Sequence, residues 1–456
     1  MSPALEAVKA ALTLFEFTVD DAARATYGHD ESDMGDFLPD LIVFPRDTAQ
    51  VKAVIDVCRQ QGVPLTPVAG RSGKSGGSLP VQGGVSMSLE RLNRVLAFNP
   101  ADLTITVEPG VLLKDLQATV EAKGLFYPPD PNSAEWCTLG GNVAENAGGP
   151  RALKYGVTRD YVLGLEWVTP AGEVLKVGKQ TMKGVAGYDL VGLFVGSEGT
   201  LGVATAITLK LLPLPRAVMT ALLPFASVTD AAAAVSQVLL EGLLPRCLEL
   251  LDDVAIAAIA DRFPFPAGCG ACIIAEVDGG STEGVFAELT RLSEVASRCG
   301  ALDTLLAQDR DQREKLWAAR RLVSPSLRAV KKFKFSEDIV VPRSRVPEAI
   351  ARFKQVGREL DLTVATYGHA GDGNLHTNVL YAGPHERPRV DQALARIMEI
   401  TVELGGTITG EHGVGIAKKR FLSLELSPAV MNCQRNLKVF FDPQVLFNPG
   451  KIFPER

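Results

Sequence analysis

Histidine is scarce in this chain of 456 residues, which contains only five, and no apolar run is long enough to suggest a membrane span. The amino-terminal residues lack the basic and apolar segments of a secretory signal. The seven cysteines are scattered, which favours reduced thiols and provides no spacing for a zinc or iron–sulfur centre. A net charge of −6 argues against nucleic-acid binding. We therefore expect a cytoplasmic protein with no integral membrane segment and no nucleic-acid partner.

Glycine is abundant by contrast, with 43 residues, and much of it lies in a few polar runs. The first run, Ala69–Ser78, contains four glycines and three serines and follows a predicted strand that ends at Val68. Backbone N–H groups in such a loop could bind phosphate. The run is not a P-loop, because the required first glycine falls on Val68, and it is not a G-x-G-x-x-G motif. From this segment alone, a flexible surface loop fits equally well.

Two further runs of this kind follow, at Thr138–Gly156 and at Lys183–Gly202. Several separate loops rich in glycine, serine, threonine and asparagine suit a long cofactor with many polar atoms. The prolines at 213 and 215 then end the first predicted domain, because proline breaks strands and helices alike.

Two of the five histidines, His369 and His376, flank a Gly-Asp-Gly turn between two predicted strands. Asn378 shares a strand face with His376, because side chains alternate with period two. The two imidazoles could bind a divalent cation or could form a hydrogen-bonded pair. A third ligand could come from the glycine-flanked pair Glu411-His412.

Arg320 lies on the apolar stripe of a helix predicted over Gln312–Leu327. A buried guanidinium is costly unless an anion pairs with it. The partner could be an internal Asp or Glu, or it could be the carboxylate of a substrate.

The run from Pro67 to Pro213 resembles the FAD-binding domain of the PCMH-type, or vanillyl-alcohol-oxidase, flavoprotein superfamily. The chain from Leu41 to Phe453 is similar to the branch that oxidises D-2-hydroxy acids. The resemblance implies an α+β protein with a two-subdomain FAD-binding domain over residues 1–215. It also implies a substrate-binding α+β cap domain with an antiparallel sheet over residues 216–456, whose last residues return to the flavin domain.

The resemblance assigns FAD contacts to the glycine-rich runs and to one asparagine near the end of the chain. The residues are Val68, Ala69, Gly70, Arg71, Ser72, Gly73, Gly76, Gly77, Ser78, Asp130, Ser133, Thr138, Gly141, Asn142, Gly148, Glu198, Gly202, Val203 and Asn448. Some relatives attach the flavin covalently through a histidine in the first loop. This loop has no histidine, so we expect noncovalent FAD.

The same resemblance implies that His369, His376 and Glu411 bind a divalent metal, with Zn²⁺ favoured and Mn²⁺ or Fe²⁺ as alternatives. His412 is then the base, while Arg320 and Asn378 bind the substrate. The role of Lys334 stays open, because its spacing from the following strand residues differs from that in relatives.

The implied function is oxidation of a small D-2-hydroxy acid, of the D-lactate, glycolate or 2-hydroxyglutarate class, to the 2-keto acid. Electrons would pass through FAD to an external acceptor, such as an electron-transferring flavoprotein, an iron–sulfur subunit, a quinone or a cytochrome. The sequence leaves the oligomeric state open, and a homodimer is one candidate.

Four alternatives remain at this point. They are an oxidase that uses oxygen, a flavin subunit of a larger complex, a metal-dependent hydrolase and a scaffold subunit.

Overall fold

The computed structural model describes residues 2–32 and 34–455. The strands are β1 (Phe17–Thr18), β2 (Leu41–Val43), β3 (Leu65–Val68), β4 (Val85–Ser88), β5 (Val95–Asn99), β6 (Thr104–Val107), β7 (Leu125–Phe126), β8 (Val162–Val168), β9 (Val174–Gly178), β10 (Val203–Lys210), β11 (Leu212–Pro213), β12 (Ala217–Phe225), β13 (Cys247–Leu251), β14 (Ala271–Gly279), β15 (Leu305–Leu306), β16 (Phe333–Val340), β17 (Thr363–His369) and β18 (Asn374–Tyr381).

The helices are α1 (Pro3–Ala11), α2 (Asp21–Tyr27), α3 (Thr48–Gln61), α4 (Leu113–Glu121), α5 (Leu139–Glu145), α6 (Ala152–Tyr155), α7 (Leu190–Phe194), α8 (Val228–Leu240), α9 (Asp253–Ala257), α10 (Thr282–Arg298), α11 (Arg310–Val330), α12 (Val346–Glu359), α13 (Arg387–Glu403), α14 (Leu422–Glu425) and α15 (Pro428–Phe441). The chain divides into two compact units, which we describe separately. The first unit comprises Met1–Gly148, Val157–Leu214 and Glu411–Arg456, and the second comprises Gly149–Gly156 and Pro215–Gly410.

The first unit contains two main sheets. The four-stranded sheet has the order β1-β2-β4-β3, in which β4 runs parallel to both β2 and β3. The five-stranded sheet has the order β5-β6-β10-β8-β9 and is antiparallel. Each sheet has its own apolar core, and the larger core contains Trp167 stacked on Phe194 at 4.6 Å between ring centroids. The prediction of a two-subdomain domain of this type is confirmed.

The second unit is built on a seven-stranded sheet with the order β15-β12-β14-β13-β17-β18-β16. Every adjacent pair of its strands is antiparallel, as predicted for the cap domain. One face packs against α9 and α11, since Leu222, Ile274 and Tyr367 of the sheet share a core with Leu316 and Val323 of α11. Helices α8, α10, α12 and α13 also contact the sheet.

Two local predictions were wrong. The apolar spacing in the sequence predicts a helix over Thr282–Arg298 with Phe286 on its buried face, but the side chain of Phe286 is 53% exposed and Val285 is buried instead. Val285 lies four residues before Leu289, so it continues the buried stripe of that helix. The residues before Gly410, from Gly406 to Thr409, have the pattern of a strand in the sequence, but in the structure they form an isolated bridge between Thr407 and Val340.

Within residues 2–32 and 34–455, no helix is long and apolar enough to cross a membrane. The seven cysteines are all free thiols, as expected. His29 and His385 are exposed.

Candidate active site

The first glycine-rich loop, which follows β3, packs tightly against the second. A Cβ atom added at Gly70 would lie 3.0 Å from the carbonyl oxygen of Trp136 and 3.2 Å from the backbone nitrogen of Thr138. A side chain at Gly70 would therefore require the neighbouring backbone to shift by a few tenths of an ångström. The loop also contacts the carboxyl-terminal part of the unit, because the carbonyl oxygen of Ser75 accepts hydrogen bonds from Ile416 and Ala417. The two glycine-rich segments are therefore neighbours in space.

Three hydroxyl groups in these runs are buried without a hydrogen-bond partner among the described residues. They belong to Ser75, Thr138 and Ser197, which are 1%, 6% and 6% exposed. Buried polar groups are nearly always satisfied in folded proteins. Unsatisfied hydroxyls in three separate loops of one unit are what a site for an extended polar ligand would show.

A residue of the third glycine-rich run, Glu198, binds the backbone of the loop from Gly413 to Gly415. Glu198 adopts a left-handed conformation with φ of 52°, and its carboxylate accepts hydrogen bonds from the backbone of Val414 at 2.8 Å and of Gly415 at 2.6 Å. Burial, followed by the charge of Glu198, raises the pKa of Glu145 well above its ordinary value. A Cβ atom at Gly413 would lie 2.2 Å from Oε2 of Glu145, so only glycine fits there.

The remaining predicted cofactor residues lie in the same unit. Asn448 donates hydrogen bonds to the carbonyl oxygens of Gly77 and Glu198, both at 2.9 Å. The guanidinium of Arg71 lies 4.2 Å from the ring centroid of Tyr27. A Cβ atom at Gly148 would lie 3.0 Å from Oε2 of Glu411. Val68 ends β3 and Val203 begins β10.

In the second unit, polar side chains occupy one face of four neighbouring strands. Glu249 on β13 is paired with His369 on β17, and His376 on β18 is paired with Asp338 on β16. Paired residues on antiparallel strands point to the same side of the sheet. Asn378 lies two residues after His376 on that face, as predicted. The register of the sheet therefore brings together residues that are far apart in the chain.

The two histidines of this face are close neighbours. Their ring centroids are 5.2 Å apart and their planes are nearly perpendicular, at 84°. Nδ1 of His369 contacts Oε1 of Glu249. Nδ1 of His376 lies 3.9 Å from Oδ1 of Asp338. Imidazole and carboxylate groups in this arrangement are suitable donors for a divalent cation.

Arg320 of α11 lies over the same face, and the prediction that it is buried is confirmed by an exposure of 2%. Its Nε donates to Oε2 of Glu249 at 2.6 Å, and its guanidinium carbon lies 4.7 Å from the ring centroid of Tyr367. Burial alone would raise the pKa of Glu249, but the charges of His369 and Arg320 outweigh burial and lower that pKa to about 2. One of the two partners expected for Arg320, an internal carboxylate, is therefore present as Glu249.

That ion pair does not use the whole guanidinium. Nη2 of Arg320 is buried and has no acceptor in the part of the chain that the structure describes. Oδ1 of Asn378 is likewise buried and has no donor among those residues. One donor and one acceptor on the same sheet face thus remain available to a ligand.

Asp338 is a residue that the sequence did not single out. Its carboxylate is fully buried and accepts hydrogen bonds from Nδ2 of Asn374 at 2.6 Å and from the backbone of Gly410 at 2.9 Å. Gly410 ends the second unit, and Glu411 and His412 follow it in the chain. Nε2 of His412 lies 4.0 Å from Oε1 of Glu411. One feature of the sequence could have identified Asp338, because Lys334, Ser336 and Asp338 alternate along β16 and therefore lie on one face.

Lys334 itself contacts α11. Its Nζ donates to the carbonyl oxygen of Ser324 at 2.9 Å and to the hydroxyl of Ser324 at 2.6 Å. The side chain thus links β16 to the helix that carries Arg320.

Residues 214–452 match the family of FAD linked oxidases, C-terminal domain, and residues 39–178 match the FAD binding domain family. The chain belongs to the FAD-linked oxidase family. It is 38% identical to glycolate oxidase subunit GlcD of Bacillus subtilis, over 96% of this chain and 94% of that protein. It is 36% identical to D-lactate dehydrogenase of Anaerostipes hadrus, over 95% and 94% of the two chains.

Solved structures confirm the fold of this FAD-linked oxidase. That of p-cresol methylhydroxylase with substrate bound superimposes with a TM-score of 0.80 at 18% identity, covering 98% of this chain and 96% of the other. That of alkyldihydroxyacetonephosphate synthase superimposes with a TM-score of 0.76 at 22% identity, covering 99% and 86%.

FAD is the cofactor of this FAD-linked oxidoreductase, and the first unit fits it. The close loop contact at Gly70 and the unsatisfied hydroxyls of Ser75, Thr138 and Ser197 suit an extended polar molecule.

This geometry generates a prediction for Gly70. Gly70→Ala should weaken FAD binding about tenfold or more, because the added Cβ must move a neighbouring backbone segment at a cost of about 1–3 kcal/mol. Titration of the apoprotein with FAD measures the dissociation constant. Gly184→Ala is the matched control, since a Cβ there meets nothing within 4 Å. Equal FAD affinity in the two variants would contradict the prediction.

Proposed function

We propose that this FAD-linked oxidoreductase oxidises a small D-2-hydroxy acid to the 2-keto acid, with D-lactate, glycolate and 2-hydroxyglutarate as candidate substrates. The observation that carries the proposal is the unused, buried Nη2 of Arg320 on the sheet face that bears His369 and His376. A molecule with a carboxylate next to an alcohol suits such a face. The names of the two relatives above, a glycolate oxidase subunit and a D-lactate dehydrogenase, support the same substrate class.

Arg320 binds the substrate carboxylate in this proposal. A buried donor without an acceptor costs free energy that an anionic ligand would recover. The guanidinium is already oriented by Glu249, so little side-chain entropy is lost on binding. Asn378 accepts a hydrogen bond from the substrate through its Oδ1.

His412 acts as the base that removes the proton from the 2-hydroxyl oxygen. As the carbonyl forms, the carbon–hydrogen bond breaks and the hydrogen leaves with its electron pair. Bound FAD supplies the acceptor for that hydride. The products are a 2-keto acid, a protonated His412 and reduced cofactor, so protons and electrons balance.

His369, His376 and Glu411 are proposed to hold a divalent cation, with Zn²⁺ favoured over Mn²⁺ and Fe²⁺. Asp338 joins them as a further candidate, because its carboxylate lies beside His376. A cation held there would supply Lewis acidity that lowers the pKa of the substrate hydroxyl. His412 would then take the proton more readily.

The electrons pass to an external acceptor, which we propose to be an electron-transferring flavoprotein, an iron–sulfur subunit, a quinone or a cytochrome. The cytoplasmic location and a homodimer remain parts of this proposal. The runner-up is a flavin subunit of a multisubunit oxidase, which the name of the Bacillus relative favours. Membership of a FAD-linked family argues against the metal-dependent hydrolase.

FAD is proposed to be bound noncovalently, because the first glycine-rich loop contains no histidine. After acid precipitation, the yellow colour should therefore stay in the supernatant. Flavin absorbance in the washed pellet would contradict noncovalent attachment.

Arg320→Ala should raise the KM for the hydroxy acid about 10- to 100-fold, because hydrogen bonds to charged groups contribute about 1.5–3 kcal/mol. Steady-state kinetics with an artificial electron acceptor measures the change, and flavin content reports on folding. Arg321→Ala is the matched control, since the neighbouring Arg321 is about half exposed and pairs only loosely with Glu314, at 3.6 Å. An unchanged KM in Arg320→Ala would remove the carboxylate role.

His412→Asn should slow reduction of the flavin by the hydroxy acid about 10²- to 10⁴-fold, because a positioned base contributes that much. Stopped-flow absorbance measures the reduction, and FAD and metal contents should stay unchanged. The control is His385→Asn, at an exposed histidine. Loss of metal from His412→Asn would make His412 a ligand instead of the base.

A further inference from the structure

Glu249 is a buried carboxylate that contacts both a proposed metal ligand and the proposed substrate-binding arginine. It lies at the centre of β13, has no exposed surface, and faces the strand partner His369 across the sheet. One carboxylate oxygen contacts Nδ1 of His369, and the other accepts from Nε of Arg320 at 2.6 Å. Each oxygen of the carboxylate therefore serves a different residue of the site.

The contact with His369 determines which ring nitrogen can bind a cation. An imidazole must be neutral to bind a cation, and it then carries one N–H donor and one acceptor nitrogen. A carboxylate only accepts, so the nitrogen next to Glu249, Nδ1, must carry the hydrogen. The lone pair is then on Nε2, which is the nitrogen that can ligate a cation. Carboxylate–histidine pairs of this kind fix the tautomer and the orientation of metal ligands in other proteins.

The contact with Arg320 determines where the guanidinium points. The group is planar, so fixing Nε on one side and stacking the plane near Tyr367 leaves the terminal nitrogens no freedom to rotate away. The buried Nη2, for which the described residues provide no acceptor, is thereby held in place for an incoming carboxylate. Glu249 thus orients both His369 and Arg320.

We propose that Glu249 is a positioning residue that sets the tautomer of His369 for metal binding and holds Arg320 ready for the substrate carboxylate. The inference rests on the proposed function above. The alternative is that Glu249 only neutralises the buried charge of Arg320, with no effect on metal affinity.

Glu249→Gln separates these possibilities because it preserves the shape of the side chain. The amide oxygen can still accept from Nε of Arg320, but the amide NH₂ then faces Nδ1 of His369. Nδ1 becomes the acceptor and the ring hydrogen moves to Nε2, which can no longer ligate. A purely charge-neutralising role predicts lower stability but no loss of metal affinity.

Glu276→Gln is the matched control. Glu276 is also buried, at 5% exposure, and lies on the adjacent strand β14. It accepts from Thr220 at 2.7 Å and from Nε1 of Trp317 at 2.8 Å, and it pairs with Arg246 at 3.1 Å. The control removes a charge of the same kind from the same sheet without changing the contacts of His369 or Arg320.

The experiment titrates Zn²⁺ into the chelator-stripped, FAD-loaded full chain against a chromophoric competing chelator. We expect Glu249→Gln to weaken Zn²⁺ binding about 10- to 100-fold, as outer-shell partners of metal ligands do. Glu276→Gln should bind Zn²⁺ like the wild type. The KM for the hydroxy acid should also rise in Glu249→Gln alone, because Arg320 loses a charged partner that orients it.

Several results would overturn the inference. Wild-type Zn²⁺ affinity in Glu249→Gln, or an equal loss in Glu276→Gln, would leave Glu249 with a charge-neutralising role only. Failure of the wild type to bind Zn²⁺ or Mn²⁺ would overturn the proposed metal site itself, and this inference with it. If Glu249→Gln does not fold, Glu249→Asp keeps the charge but is too short to reach both partners, and it should weaken Zn²⁺ binding. Unchanged affinity in Glu249→Asp would also contradict the inference.

Discussion

Burial of charge on one face of the seven-stranded sheet is the constraint on which the second unit depends. An unpaired buried charge costs several kcal/mol, so each one needs a partner from another strand or helix. Glu249 meets Arg320 and His369, while a separate group pairs Arg246 with Glu276 and Asp278. These ion pairs tie α11 and neighbouring strands into a single arrangement. A loss of register in the sheet would leave carboxylates and guanidinium groups without partners.

The two networks connect different parts of the second unit. The carboxylate of Asp278 receives Lys154, Tyr155 and Arg246, and so attaches the short α6 segment to the sheet. The network of Glu249 leaves Nη2 of Arg320 buried without an acceptor among the residues described. Evolution tolerates such a group where a ligand completes it. This unsatisfied group supports the proposal that the substrate carboxylate binds to Arg320.

Close approach of backbone segments is the corresponding constraint in the first unit. Gly70 contacts the second glycine-rich segment, and Gly413 lies against the buried carboxylates of Glu145 and Glu198. A side chain at either position would require its neighbours to shift. The many glycines in the sequence suggested a bound ligand. At Gly70 and Gly413, short contact distances explain why the residue is glycine.

Local pattern alone determined much of this protein. The period of apolar residues located α11, and it indicated that Arg320 is buried because its spacing places it on the apolar stripe. The glycine-rich runs pointed to an extended cofactor, and the Gly-Asp-Gly turn between His369 and His376 pointed to a hairpin with polar residues on one face. The prediction for α10 was wrong by one residue, because the buried face of the helix contains Val285 and not the adjacent Phe286.

Only the tertiary structure decided the partners. In the sequence, Glu249 is one acidic residue in a buried strand, and it lies 71 residues from Arg320 and 120 residues from His369. No local period links such positions, since strand register arises from the pairing of the whole sheet. Asp338 was likewise identified only from the structure, through its pairing with His376. The sequence determined which loops are polar and that Arg320 is buried, because both follow from local pattern, whereas the sheet register decided which charges meet.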